Sequence, residues 1–172
     1  LNTIKWMAVI NNQSNIEKLT EALINVLMNS AQSGQEYHLV NDEIELIKSY
    51  VIIQKARFMN FSVEYDVTPE SEQYVIRKFL IQPVVENSII HGLLRGKVKN
   101  GLIKIRIWTD EYLNVEVSDN GCGFDTDILK DKKHSEDEGY TSLALANIMQ
   151  IVDIDYGKPY KIEVISILGK GT

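Results

Sequence analysis

The sequence predicts an α+β protein, an all-helical section followed by a layered domain of strands and helices, and three observations carry this. Up to about Phe58 apolar residues recur at helical spacing. From Phe61 onward strand-like runs appear. Two of them, Ile103-Ile105-Ile107 and Leu113-Val115-Val117, alternate strictly with polar residues, as strands with one buried face do. No internal repeat is visible, so the mixed order of elements points to layers packed around one core.

Composition agrees and narrows the function classes. The 172 residues are 44% hydrophobic and 24% charged, with three prolines and ten glycines, which excludes disorder and collagen. A chain of this size buries roughly 70% of the surface its unfolded form exposes, so it holds a core without disulfides or a structural metal. Cys122 stands alone, which excludes an intrachain disulfide and a Cys-based zinc site. Apolar runs such as Val51 to Ile53 fall far short of the ~20 residues that span a bilayer, so a soluble piece is expected. The formal charge of −6 repels phosphate backbones and argues against a nucleic-acid partner. The sequence opens on Leu1 rather than Met, with no charged-then-apolar leader, and reads as a piece excised from a longer chain.

Each element has its own signal. Leu1 to Asn11 reads as the tail of a helix and Asn12-Gln13-Ser14 as a turn. Asn15 to Ser30 carries Ile16, Leu19, Leu23 and Val26 in one stripe, a helix that Ser33-Gly34 ends. Asn41 or Asp42 is expected to cap a third helix, with Glu43 and Glu45 favouring its positive end. Ile44, Ile47, Val51 and Phe58 would give that helix its buried face, widened by Tyr50, Ile53 and Arg57. Phe61 to Val67 reads as a strand closed by Thr68-Pro69. Helical spacing resumes at Ser71, and Pro83 kinks that helix or opens a new one running to His91-Gly92. Ile103 to Ile107 and Leu113 to Val117 form two paired strands joined at Thr109-Asp110-Glu111. Asp125 to Gly139, polar and mixed in charge, is expected as a loop, Leu143 to Val152 as a helix and Lys161 to Leu168 as a last strand.

Three segments carry chemistry: Pro83 to Gly92, Asp119 to Phe124, and Gly169-Lys170-Gly171-Thr172. Each has a bland reading: a solvated helix face, a hairpin turn and a flexible exit. Together they make chemical sense. A Mg²⁺ ion takes hard oxygen ligands and keeps several waters, so one Asn carbonyl on a rigid helix suits a metal held mostly by nucleotide phosphates. Asn87 and His91 share a helix face, and Glu86 beside them could polarise a nucleophile. Asp119 at a strand end can accept from an adenine amino group. Gly121 and Gly123 allow close backbone approach and positive φ. Between Asn87 and Thr109 there is no Asp or Glu, while Arg95, Lys97, Lys99, Lys104 and Arg106 supply a local positive field suited to a phosphate tail.

The helix-borne PxxENxxxHG, the strand ending in DNGxGF and the final GxGT resemble the N box, first glycine box and last glycine box of the Bergerat-fold ATPases. The spelling QPVVENSIIHG and the upstream IQKARF resemble, within that group, the LytS/YesM-like sensor histidine kinases of bacterial two-component systems. The similarity covers essentially the whole chain, and three spaced motifs agree in order. It implies a sandwich of a mixed β-sheet and helices, with residues 1–59 the remainder of a dimerisation and phosphoacceptor region and residues 60–172 the ATP-binding kinase domain. It implies ATP and Mg²⁺ between the N-box helix and a lid, with Asn87 as metal ligand, Glu86 as the acidic neighbour assisting phosphoryl transfer and Asp119 as adenine reader. His91, Gly121, Gly123, Leu143, Gly169, Gly171 and Thr172 complete the nucleotide-binding set. The phosphate-accepting histidine of such kinases lies in a Pro-His-Phe-Leu-Tyr-Asn motif just before a segment like Leu1-Asn2-Thr3. A response regulator as partner, a homodimer in the intact protein and a membrane-anchored parent with this part in the cytoplasm follow from the same resemblance.

The sequence departs from the pattern in two places. Ser142 and Ala144 stand where the family carries the glycines of a GxGL element at Leu143, and a left-handed backbone there would cost on the order of 1–2 kcal/mol per replacement. Ile90 stands where a Lys often follows the Asn, leaving Lys97 or Lys99 to reach the phosphate. These departures define the alternative reading, a degenerate module that binds nucleotide weakly and acts through protein contacts. A serine kinase of the anti-sigma type would share the ATP site without needing the helices before Phe61. His38 and His134 are expected at the surface, and Cys122 as a small filler inside its loop.

Overall fold

The computed structural model describes residues 1–31, 34–58, 61–126 and 139–172. Helices α1 (Asn2–Ile10) and α2 (Ser14–Ala31) pack on each other, and α2 packs in turn on α3 (Val40–Arg57). The expected stripe on α2 is only partly covered. Ile16 is exposed and Leu19, Leu23 and Val26 are half-buried, whereas Thr20 and Ala22 are the buried residues of the helix. On the outside of the hairpin Trp6, Met7, Ile10, Leu27 and Met28 face solvent.

The cap of α3 differs from expectation. The helix begins one residue before Asn41, with Leu39 as N-cap, and Asp42 acts from inside the first turn by accepting the Leu39 N–H. Glu43, expected to favour the positive helix end, is fully buried. Glu45 is exposed and pairs with Lys48. Ile44, Ile47 and Val51 form the buried face as expected, while Arg57 stays in solvent.

The main sheet has the order β2 (Phe61–Val67), β4 (Gly101–Thr109), β5 (Leu113–Asp119), with β2 parallel and β5 antiparallel to β4. Because β4 is central, Ile103, Ile105 and Ile107 are fully covered, and each such burial contributes about 1.5–3 kcal/mol. They meet Val40, Ile44 and Ile47 of α3 and Val85 and Ile89 of the following helix in one core. Register carries the pattern on: Ile107 faces Val115, Ile105 faces Val117 and Ile103 faces Asp119, so Asp119 is on the helix-covered side. Lys104 and Arg106 take the opposite side, where Lys104 pairs with Glu64 and Arg106 with Asp66 and Glu116. The positive field expected from these two at a phosphate tail is therefore neutralised on the solvent face.

No helix starts at Ser71. One 3₁₀ turn (Ser71–Gln73) leads into a short strand β3 (Val75–Arg77), antiparallel to β1 (Tyr37–Leu39), with Ile76 buried opposite His38. β-branched Val75 and Ile76 suit this pairing better than a helix, and it leaves the His38 side chain, expected at the surface, largely covered. Pro83 opens a new helix, α4 (Gln82–Asn87), from its first turn. The chain does not stop at His91-Gly92 but continues as a π-helical segment (Ser88–Leu94). Helix α5 (Gly139–Tyr156) is longer than expected at both ends. The last strand is not formed. Residues 161–166 have no regular secondary structure and alternate between exposed and half-buried, with an isolated bridge between Ile167 and Gly171. Their alternation specifies extended backbone with one half-buried side, but the hydrogen bonds that anchor this stretch are taken further on, where Gly169 to Thr172 dock on the Asp119 loop.

Among the described residues no helix is long and apolar enough to cross a membrane.

Candidate nucleotide site

The site is assembled by helix α4, its π-helical continuation, the loop after β5 and the C-terminal residues. The π-helical geometry, rare and suited to a single turn, releases carbonyls from the helix ladder. Gly92 O accepts the Cys122 N–H at 2.9 Å, and His91 O lies 3.2 Å from Cys122 Sγ. Cys122 thus fills a gap against the helix backbone.

Asp119 is the point where the three segments meet. Its Oδ1 accepts the Gly121 N–H at 2.8 Å, and the Ser88 hydroxyl and the Thr172 backbone are close enough to favour its charged form. Burial pushes its pKa above the usual carboxylate value, and the Gly121, Ser88 and Thr172 donors oppose the rise. The Asp119 N–H in turn donates to Thr172 O at 2.8 Å. Glycine is required where these backbones touch. A Cβ on Gly92 would lie 2.9 Å from Asp119 Oδ1, and one on Gly171 would fall 1.9 Å from Asp119 O. Gly123, at φ +59°, abuts the Ile167 carbonyl, and Gly171 sits at φ +111°. Gly121 needs glycine for proximity alone, since its φ is not left-handed, contrary to the positive φ expected there. Gly169, at φ +77°, donates to Cys122 O at 2.7 Å, and the Thr172 hydroxyl lies 2.9 Å from Ser166 Oγ.

Asn87 precedes Ser88, and its Nδ2 is buried without a partner among the described residues. His91 Nδ1 is likewise buried and unpartnered, and desolvation, then the nearby Arg95 charge, hold its pKa below the ordinary value. Glu86 accepts from Gln82 Nε2 at 2.8 Å, one turn back on the same helix. Tyr50 of α3, pushed up to about 12 by burial and then by the Glu86 charge, marks the side to which that carboxylate turns. Among the described residues no cluster of three or more His, Cys, Asp and Glu could hold a metal alone. A Mg²⁺ carried by phosphates and water takes a carbonyl oxygen from the protein, which Asn87 Oδ1 would supply, while the unpartnered Asn87 Nδ2 is a donor left for a phosphate or water oxygen.

Leu143, Ser142 and Ala144 lie inside α5, where the backbone is right-handed, so the strain feared for the two replaced glycines does not arise. Their side chains, and His134 with residues 127–138 of the expected loop, are outside the described residues. Lys97 and Lys99 line a separate groove of about 350 Å³ with Phe58, Phe61 and Leu93. Sequence reasoning missed Ser88 and Asn120. Asn120 accepts the Leu102 N–H through Oδ1 and donates to Asn100 O, fastening the loop to the start of β4. Its place inside DNG was the available signal.

A mixed sheet covered by helices, with glycine-bearing segments closing on a strand-end carboxylate, defines a Bergerat-type ATPase domain. The chain belongs to the histidine kinase-, DNA gyrase B-, and HSP90-like ATPase family, whose sequence model matches residues 78–172, and a histidine kinase family model matches residues 1–61. It is 29% identical to the sensor histidine kinase YesM of Bacillus subtilis (strain 168), over all of this chain and 29% of that protein. It is also 29% identical to the sensor histidine kinase/phosphatase LytS of Staphylococcus aureus (strain Mu50 / ATCC 700699), over 86% of this chain and 26% of that one. The chain therefore spans less than a third of the curated relatives it matches. In structure it is similar to the histidine kinase domain from the Erythrobacter litoralis EL346 blue-light activated histidine kinase, with a TM-score of 0.55 at 14% identity, over 91% of this chain and 71% of that one. This last likeness bears on the fold.

Proposed function

We propose that the chain is the ATP-binding catalytic portion of a two-component sensor histidine kinase. It binds Mg-ATP and passes the γ-phosphoryl to a histidine outside residues 1–172 and thence to an aspartate of a response regulator. The observation that carries this is the convergence of Ser88, Gly121 and Thr172 on the Asp119 carboxylate, one residue along the helix from the unpartnered Asn87 amide. Asp119 accepts from the adenine amino group and rejects a guanine carbonyl. Asn87 is the side chain that would hold a Mg²⁺, through Oδ1, and the ion would supply neutralisation of charge on the phosphates. Glu86 orients the accepting nucleophile, and His91 contributes a neutral ring nitrogen near the phosphates. Gly123, Leu143, Gly169 and Gly171 shape the backbone around the nucleotide.

Residues 1–59 belong, in this reading, to the dimerisation and phosphoacceptor region and residues 60–172 to the kinase domain. The uncovered Trp6, Met7, Ile10, Leu27 and Met28 support a homodimer of the intact protein through the α1–α2 hairpin. The parent is a membrane-anchored bacterial sensor with this part in the cytoplasm. Calorimetry with Mg-ATP tests the site: binding is expected, and Asn87→Ala and Asp119→Ala each abolish it. No heat at millimolar nucleotide would leave the weakly binding, protein-contact module instead, a reading that Ile90 at the usual Lys position favours. With the upstream segment restored, acid-labile, base-stable phosphate is expected.

A further inference from the structure

We infer that Glu43 is a positioning residue for the nucleotide site, tying α3 to the first turn of α4; this rests on the nucleotide-binding reading above. Its carboxylate is fully buried and carries four donors. Oε1 accepts the backbone N–H groups of Ile81 and Gln82, each at 3.0 Å. Oε2 accepts the Phe79 N–H at 3.0 Å and lies 2.7 Å from His38 Nε2, which donates to it. A buried carboxylate is tolerated only when so satisfied.

The identity of the donors gives the arrangement its role. Ile81 and Gln82 present N–H groups of a helix start that lack intrahelical partners, and α4 has no side-chain cap of its own. Glu43 supplies that cap from another helix. Phe79 is held at φ +60°, a left-handed backbone unfavourable for a bulky residue, and its N–H goes to the same carboxylate. Glu86 and Asn87 follow one turn later, so the position of α3 sets where their turn begins. The preceding residue, Lys78, is tied to the α2 carbonyl of Asn29 at 2.7 Å. Displacement of α3 against α2 therefore reaches Asn87 through Glu43.

The test compares the 172-residue chain with Glu43→Gln, His38→Leu and His38→Gln, by amide hydrogen exchange and by calorimetry of ATP with Mg²⁺ and with EDTA. Replacing an ionic acceptor by an amide should speed exchange across residues 79–87 about tenfold while leaving β4 unchanged. The same variant should lose about tenfold in the gain that Mg²⁺ brings to ATP affinity, with the EDTA affinity within about twofold of the parent. His38→Leu should move both readouts the same way in a chain that keeps its three backbone donors, and this variant carries the comparison where Glu43→Gln does not fold. His38→Gln, which keeps a donor, should restore both.

Unchanged exchange over 79–87, or two affinities that fall in parallel, overturns the proposal, as does a lowered Tm with an unaltered Mg²⁺ gain. A parent chain that binds ATP in neither buffer overturns the nucleotide reading and the positioning role with it. Selective exchange in Glu43→Gln would then mark a purely structural clamp.

Discussion

Gly121 is seated backbone to backbone on Gly92: a side-chain carbon on Gly121 would lie 2.5 Å from the Gly92 carbonyl carbon and as close to Asp119 Oδ1. The Gly92 neighbour is backbone, and the Asp119 oxygen is held in place by the Gly121 N–H. Gly121→Ala must therefore push the loop off the helix, at about 1–3 kcal/mol, the usual range for overpacking. A thermal melt should show Tm lower by about 2–4 °C for each kcal/mol in a chain of this length. Gly169→Ala, where nothing lies within 4 Å, bears only its backbone strain at φ +77° and should fall less. Equal melting of Gly121→Ala and the parent would show that the loop is not seated as described.

Asn87 carries an amide nitrogen that is buried and unpartnered, so the fold gains nothing from it. Asn87→Ala should leave the urea midpoint unchanged or raise it by up to the equivalent of about 1 kcal/mol. The same change should remove Mg-ATP binding in calorimetry. A residue kept at no benefit to stability is what a ligand-binding role leaves behind. Loss of stability together with binding would reassign Asn87 to the scaffold.

The parts legible in the sequence were those whose period is long enough to read. β2, β4 and β5 run seven to nine residues with one covered face, so alternation finds all three, although β4 extends two residues beyond Ile103 to Ile107 at each end and β5 two beyond Val117. β1 and β3 have three residues each, too short to show any period, and so His38 passed for a surface residue. Glu43 was read by the rule that acids in a first turn favour the positive helix end. A carboxylate capping a distant helix leaves no local trace. The glycine contacts were legible as motifs because close backbone approach restricts residue type directly, as at Gly171. The final stretch failed because alternation specifies extended backbone but says nothing of which edge will bond it.

Asp119 ties stability to acidity in a definite direction. Burial raises its pKa above 3.8, so the folded chain holds a proton that the unfolded chain has released. Its contribution is greatest in acid and declines as pH rises from 3.8 to the raised folded value. Asp119→Asn cannot titrate. Urea midpoints of parent and variant should therefore diverge across that window, with the parent losing ground as pH rises and the gap constant above it. At neutral pH the variant should also bind ATP ten- to a hundredfold more weakly, the worth of a hydrogen bond to a charged acceptor, about 1.5–3 kcal/mol. A constant gap from acid to neutral would show that Asp119 titrates alike in both states.

His91 runs the opposite way. Desolvation first and the Arg95 charge second hold its pKa below 6.5, so on unfolding in mild acid the ring takes up a proton that the folded chain excludes. Its contribution to stability is complete above 6.5 and is lost as pH falls from there to the depressed folded value. His91→Gln removes this loss. Between about pH 5 and 8, the range in which histidine titrates, the variant should gain on the parent as acid is added, and the difference should be flat at the alkaline end. The ring being neutral at pH 7, it acts toward phosphate by hydrogen bonding through Nδ1 and not by charge, so ATP affinity should not rise on acidification from pH 7 to the folded value. A difference curve flat throughout, or an affinity that climbs with acid, would mean that the imidazole is charged in the folded site.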